Sequence, residues 1–351
     1  MLMPFLSLPR HVARVRALAA ALVFVAFAFG VPASAVAGVM PPDYGMSWRT
    51  IGDPGNRLPN AAETPPWAPL QFPYGSVNHT YRLTTTEVTN RQYIDFVRAY
   101  LVFNPGVTNL TGISGFDIQV SHGTATHLNG DPDFAANMSW EYAARYANWL
   151  HNNKAMNAQA FEQGVYDTST FYRDANGVNH HQNVPSPGAK YWIPTTDEWI
   201  KAAFWDPRKN NGAGGYWTRP NGSDTPLVPG IPGITPGAQT SAGTWVEPPV
   251  GYFPEVTSPW GLLDMSGGVA EMTSTVDTND LGWRAHGGAG SSWGDSLSAD
   301  RLSVAFSSIA AGTWNQASDF VGLRLASAVP SPSIIGTVPM LSLFLLSRKR
   351  T

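Results

Sequence analysis

The sequence contains no cysteine. Disulfides, thiolate zinc sites, iron–sulfur clusters and cysteine nucleophiles are excluded together, since each needs the sulfur itself. The redox compartment stays open, because a chain without thiols folds in oxidising or reducing surroundings alike. Charge is also scarce. Only 13% of the 351 residues are Asp, Glu, Lys or Arg, about half the usual fraction of roughly 25%. The formal net charge is −3 and basic residues are scattered except at the two ends, which argues against nucleic acid as a partner.

Gly and Pro are abundant, at 34 and 29 residues, so much of the chain runs in turns and irregular segments. With 13 Trp, 12 Tyr, 16 Phe and 43% hydrophobic residues it nonetheless buries a core and is not disordered.

Both ends read as address labels. Arg10, His11, Arg14 and Arg16 precede the apolar run Ala17 to Phe29, which leads to Ala33-Ser34-Ala35; this is the order of a secretory signal peptide over residues 1–35. As a helix the run rises about 20 Å, short of a bilayer core of about 30 Å, so cleavage is expected after Ala35 or Ala37. At the far end, Val329-Pro330-Ser331-Pro332-Ser333 leads into the apolar stretch Ile334 to Leu346, followed by Arg348, Lys349 and Arg350. The segment 327–351 resembles the PEP-CTERM sorting signal of Gram-negative bacteria, with Ser331 where that motif most often has Glu. The resemblance implies an exosortase-type partner, transient membrane contact, and delivery to the cell surface or extracellular matrix. A tail anchor with its basic end inside is the alternative.

Three helices are predicted between these ends. Thr89-Asn90-Arg91-Gln92 is a capping box, followed by the stripe Tyr93, Phe96, Val97, Tyr100 and Leu101. Ser139 is placed as an N-cap before Tyr142, Tyr146, Trp149 and Leu150. Thr195-Thr196-Asp197-Glu198 is a second capping box before Trp199, Ala202 and Ala203. Short strands are predicted at Tyr81 to Thr84, Ala285 to His286 and Val321 to Leu325. The prolines between Pro220 and Gly251 forbid a long helix there, so the stretch reads as an ordered loop system or a domain boundary. The class is α+β.

Five segments carry a resemblance: Thr86-Glu87-Val88-Thr89-Asn90-Arg91-Gln92-Tyr93, Ser139-Trp140-Glu141-Tyr142-Ala143, Ile193-Pro194-Thr195-Thr196-Asp197-Glu198-Trp199, Trp260-Gly261-Leu262-Leu263-Asp264-Met265-Ser266-Gly267-Gly268-Val269-Ala270-Glu271 and Val321-Gly322-Leu323-Arg324-Leu325. Their order resembles the formylglycine-generating enzyme, or sulfatase-modifying factor, family, placing that domain at 43–326. The resemblance implies a variant of the C-type lectin-like fold with short helices and strands and many loops. It also implies copper bound by a cysteine pair in the oxidase members. In this chain the corresponding stretch, Gly287 to Arg301, places Asp295 and Asp300 near that pair. Carboxylates are hard ligands and copper(I) is soft, so no copper is expected.

The resemblance further implies a structural Ca²⁺ held by Asp264, the Gly267 and Val269 carbonyls, and Glu271; two carboxylates and two carbonyls suit a hard cation. Gly268 departs from the usual Asn, and Ala270 and Met272 from the usual Trp. The alternative is that both carboxylates serve loop amides. His180-His181 and His122 with His127 lack a converging third ligand and read as surface histidines. Trp293, Asp295, Asp300 and Arg301 are candidates for lining a ligand groove. Trp217, Trp245 and Trp314 are candidates for a surface that stacks against sugars or peptides. The expected function is that of an exported, non-oxidase module binding a peptide or glycan; the alternative is an oxidoreductase of this family type using a non-thiolate metal site.

Overall fold

The computed structural model describes residues 39–64, 74–107, 110–115, 117–121, 123–127, 132–175, 179–278, 284–302 and 317–330. The expected signal peptide, the sorting segment beyond residue 330, His122 and Trp314 lie outside them.

The elements that position the site are strands β1 (Trp48–Ile51) and β2 (Tyr81–Thr84), helices α1 (Asn90–Phe103) and α2 (Trp140–His151), strand β3 (Tyr191–Trp192), helix α3 (Thr196–Phe204), and strands β4 (Ala270–Thr278), β5 (Arg284–Ala289), β6 (Val321–Gly322) and β7 (Ala326–Ala328). One antiparallel sheet runs β1-β2-β7-β3, and a second runs β5-β4-β6. In the second, β4 pairs antiparallel with β5 and parallel with β6. Residues Val39–Ser331 form one unit, and the proline-rich stretch is a loop system within it.

Both predicted capping boxes are present. The Thr89 hydroxyl accepts from the Gln92 amide at 3.3 Å while Gln92 Oε1 accepts from the Thr89 amide at 2.9 Å. Thr195 and Glu198 make the same reciprocal pair at 3.1 and 2.8 Å. Each box satisfies two amides that a helix start leaves orphaned, and an N-cap is worth about 1 kcal/mol. Ser139 occupies the N-cap of α2 as expected, but its hydroxyl is buried and makes no capping bond.

The stripe on α1 packs edge-on against α2: Tyr93 meets Tyr146 with centroids 5.4 Å apart at 81°, and Tyr100 meets Tyr142 at 5.4 Å and 90°. Such pairs add about 0.5–1.5 kcal/mol beyond burial. A second core gathers Tyr81 and Leu83 of β2, Leu262, and Trp199, Ile200 and Phe204 of α3.

The strand predicted from Val321 to Leu325 is shorter than expected. Val321–Gly322 pairs with β4, and the chain then crosses to the other sheet as β7. A Cβ on Gly322 would stand 2.5 Å from Val269 Cγ2, so only glycine lets β4 and β6 approach this closely. At the crossing, the Arg324 side chain takes over backbone acceptors, bonding the Thr84 carbonyl at 2.8 Å and the Leu263 carbonyl at 3.0 Å.

Candidate functional site

Arg324 is fully buried, and its guanidinium is the hub of a charge cluster that joins three of the sequence motifs. Glu271 Oε1 accepts from Arg324 Nη2 at 2.8 Å and Nε at 3.2 Å, and Glu271 Oε2 accepts from the Trp199 indole at 3.1 Å. Glu87 Oε2 lies 3.8 Å from the same guanidinium. Asp264, whose backbone is left-handed at φ 57°, accepts the Gly251 amide at 2.6 Å. Two buried carboxylates, Glu87 and Glu271, and the half-buried Asp264 thus face one cation. Burial pushes Glu87 well above the usual carboxylate range, pushes Asp264 up, and pushes Glu271 to about 7; the Asp264 charge adds to the effect on Glu87 and Glu271.

The charge count fits a divalent cation: fully ionised, the cluster carries two negative charges in excess, and Glu87 Oε2 has no hydrogen-bond partner. The placement of the expected ligands is uneven. Asp264 is next to Glu87 and to the Gly267–Val269 turn, whose Val269 amide lies 3.5 Å from Glu87 Oε1. Glu271 is committed to Arg324 and Trp199. Among the described residues, no three acidic or imidazole groups converge at ligand distances.

The Gly267–Val269 turn also supports the groove candidates. The Gly268 carbonyl accepts from the Trp293 amide at 2.8 Å, and the Trp293 carbonyl accepts from the Trp245 amide at 3.0 Å. Trp245, Trp293 and Phe320 form an aromatic cluster. Trp293 lies 4.6 Å from Phe320, while Trp245 meets them edge-on at 5.9 and 6.3 Å. Gly294 is required beneath it, since a Cβ there would stand 2.6 Å from the Phe320 ring. Trp245 is 69% exposed and left-handed at φ 60°, a conformation that costs a bulky residue about 1–3 kcal/mol.

Around this cluster the predicted groove residues separate. Trp293 is half-buried within it. Asp295 closes a turn, its Oδ2 accepting from the Ser292 amide at 2.9 Å and hydroxyl at 2.7 Å. Asp300 is buried and accepts from the Ser266 hydroxyl at 2.6 Å. Burial raises it to about 6. Arg301, half-buried, follows the short helical turn Leu297–Asp300.

The chain matches the sulfatase-modifying factor enzyme 1-like domain over residues 71–329. It belongs to that family. The mixed architecture of short helices and small sheets is the family's variant of the C-type lectin-like fold. Among solved structures, it is similar to CarF at 19% identity and a TM-score of 0.48, covering 82% of this chain and 99% of that one. It is similar to Treponema denticola variable protein 1 at 15% identity and 0.47, covering 80% and 94%, and to PvdO from Pseudomonas aeruginosa at 14% and 0.40, covering 80% and 91%. Among curated proteins, no significant match is found.

With no cysteine in the chain, thiolate-bound copper does not fit; of the two aspartates near the expected position, Asp295 is exposed and tied to Ser292 through Oδ2, and Asp300 is buried. The other candidates fall elsewhere. His180 Nε2 lies 3.1 Å from Asp174 Oδ2 and its ring stacks on Tyr172 at 4.6 Å. His181 packs 4.8 Å from Trp140. The side chain of His127 is outside the described set. Trp217 is held in place, its indole donating to Asp206 at 3.3 Å under the Lys209 ammonium 3.9 Å away.

Reading the sequence did not identify Glu87 and Arg324 as one charge cluster, nor Phe320 as the third ring. Part of the signal was present: Arg324 sits between Leu323 and Leu325 in an apolar stretch, where a charge survives only if paired, whereas Glu87 follows a run of threonines.

Proposed function

We propose that this protein is an exported member of the sulfatase-modifying factor family that binds a peptide or glycan ligand without the copper oxidase chemistry. Trp245 carries the reading. The fold exposes a large indole on a strained backbone and props it on Trp293 and Phe320, and neither strain nor exposure returns packing energy. Its outer face is the surface on which a sugar ring or a flat peptide side chain stacks. The three rings touch one another, so they form a platform and not a cage around a cation. Export and surface sorting are supported by the residue order of 1–35 and 327–351. The oxidoreductase alternative is not favoured, because the carboxylates in the groove are committed to the fold.

Calcium belongs to the same reading. Asp264 and Glu87, with the Gly267 and Val269 carbonyls, would hold it, and Glu271 would act through Arg324. It would supply charge neutralisation and rigidity to the turn that carries Trp293. Tryptophan-fluorescence titrations with cello-, xylo- and chito-oligosaccharides and short synthetic peptides test the binding claim. Saturable quenching in the wild type that disappears in Trp245→Gly supports it; quenching that survives the substitution removes Trp245 from the site.

A further inference from the structure

A second concave site lies at the C-terminal end of α2, outside the cluster and the aromatic platform. It is a cleft of about 360 Å³, within the range of small-molecule sites of about 300–1,000 Å³. Its polar lining comes from Asn152, Asn157, Gln159 and Gln163, with Ala155, Ala160 and Gly164 between them, and no ionisable side chain contributes.

The fold fixes the half-buried Asn152, while Asn157, Gln159 and Gln163 are exposed at the rim; internal bonds use about half of the hydrogen-bonding capacity of the four amides. Asn152 Nδ2 donates to the carbonyls of Asn148 at 3.0 Å, Ala160 at 3.1 Å and Gln163 at 2.7 Å, which orients the amide and leaves its Oδ1 as an acceptor. Asn157 Oδ1 accepts the Ala160 amide at 3.0 Å, leaving Nδ2 as a donor. Gln159 Nε2 donates to Gln163 Oε1 at 2.5 Å, leaving one acceptor on Gln159 and one donor on Gln163. The backbone is specialised to hold this arrangement. Asn153 and Lys154 are both left-handed at φ 56°, and Lys154 is held over the rings of Tyr44 and Trp149 at 5.1 Å each. Gly164, at φ 136°, passes so close that a Cβ would stand 3.0 Å from Asn152 Nδ2 and 3.1 Å from the His151 ring.

We propose that this cleft binds a neutral, polyhydroxylated ligand, a saccharide. Two donors and two acceptors remain on these clustered amides, and a hydroxyl group is donor and acceptor at once, so vicinal hydroxyls satisfy both. With no charge in the lining, nothing offsets the desolvation of an ionised ligand. Affinity is low, because each bond replaces one to water.

The test is saturation-transfer NMR on the full chain with methyl β-glucopyranoside, methyl β-galactopyranoside and methyl α-mannopyranoside, alongside glucuronate, glucosamine and the peptide analogue N-acetylglycine N-methylamide. The decisive variant is Asn157→Asp with Gln163→Glu, which keeps both acceptors the fold uses and removes both free donors. At least one neutral glycoside is expected to give a saturable signal that weakens about tenfold in this double variant, as two modest hydrogen bonds are lost. All of these comparisons are made in a Trp245→Gly background, where the platform contributes nothing, so the cleft and the platform are tested separately. Thermal melts that match the wild type show the double variant is folded. Asn157→Ala with Gln163→Ala, which also removes the acceptors, is the second variant and is expected to lose the signal as well. Four results would each overturn the proposal: no glycoside signal, a signal that persists in both double variants, equal binding of glucuronate or glucosamine, or binding of the peptide analogue alone.

Discussion

Asp300→Asn changes the pH dependence of stability by an amount the structure sets. Asp300 is 1% exposed, accepts from Ser266, and is influenced by Arg219 and Asp295. Burial raises its folded-state value from 3.8 to about 6. A raised acid binds its proton more tightly in the folded state, so its contribution to stability is complete below about pH 4 and is lost as pH rises through 6. The shift of about two units corresponds to about 3 kcal/mol. The asparagine variant has no such titration. Its two amide hydrogens lower stability by a constant amount, so the informative quantity is the difference between the two proteins as pH changes. Urea denaturation in EDTA at pH 4.5, 6 and 7.5 spans about two-thirds of this titration and is expected to show that difference moving by about 2 kcal/mol in favour of the variant. In thermal melts this is a relative shift of about 4–8 °C. Parallel pH profiles would refute the argument, since they would mean Asp300 titrates like an exposed carboxyl.

Three further outcomes are expected. Arg324→Met strands Glu87 and Glu271 without their cation, and urea denaturation should show a loss of at least about 3 kcal/mol or failure to fold. Trp245→Gly relieves the left-handed strain while losing edge contacts, so its stability should stay within about 1 kcal/mol of wild type in the same assay. Calcium at a hundredfold excess over its dissociation constant should stabilise the wild type by about 2.7 kcal/mol, raising the melting temperature, and Asp264→Asn should abolish that response. No response in the wild type would mean that protons alone balance the cluster.

The parts of the fold legible in the sequence are those set by neighbours along the chain. The Thr89 and Thr195 boxes depend on residues three positions apart, and the α1 stripe on helical spacing. The Val321–Leu325 strand was overestimated because its end is decided by distant residues: Arg324 turns inward to carbonyls at Thr84 and Leu263. The charge cluster was illegible for the same reason, since Glu87, Glu271 and Arg324 meet only through the crossing between the two sheets. Ser139 had the right residue type at the right position, yet its hydroxyl makes no bond to the helix start. Trp245 was named among candidate surface tryptophans, but only its backbone angle and exposure separate it from Trp217, which the fold pins under Lys209.

The account's central claim is that the exposed Trp245 platform is a binding surface. Its most direct test is an oligosaccharide and peptide array probed with labelled wild-type chain and with Trp245→Gly at equal folded concentration. Features bound by the wild type and lost in the variant are the predicted result. Identical binding patterns, or an array on which the wild type binds nothing, would contradict it.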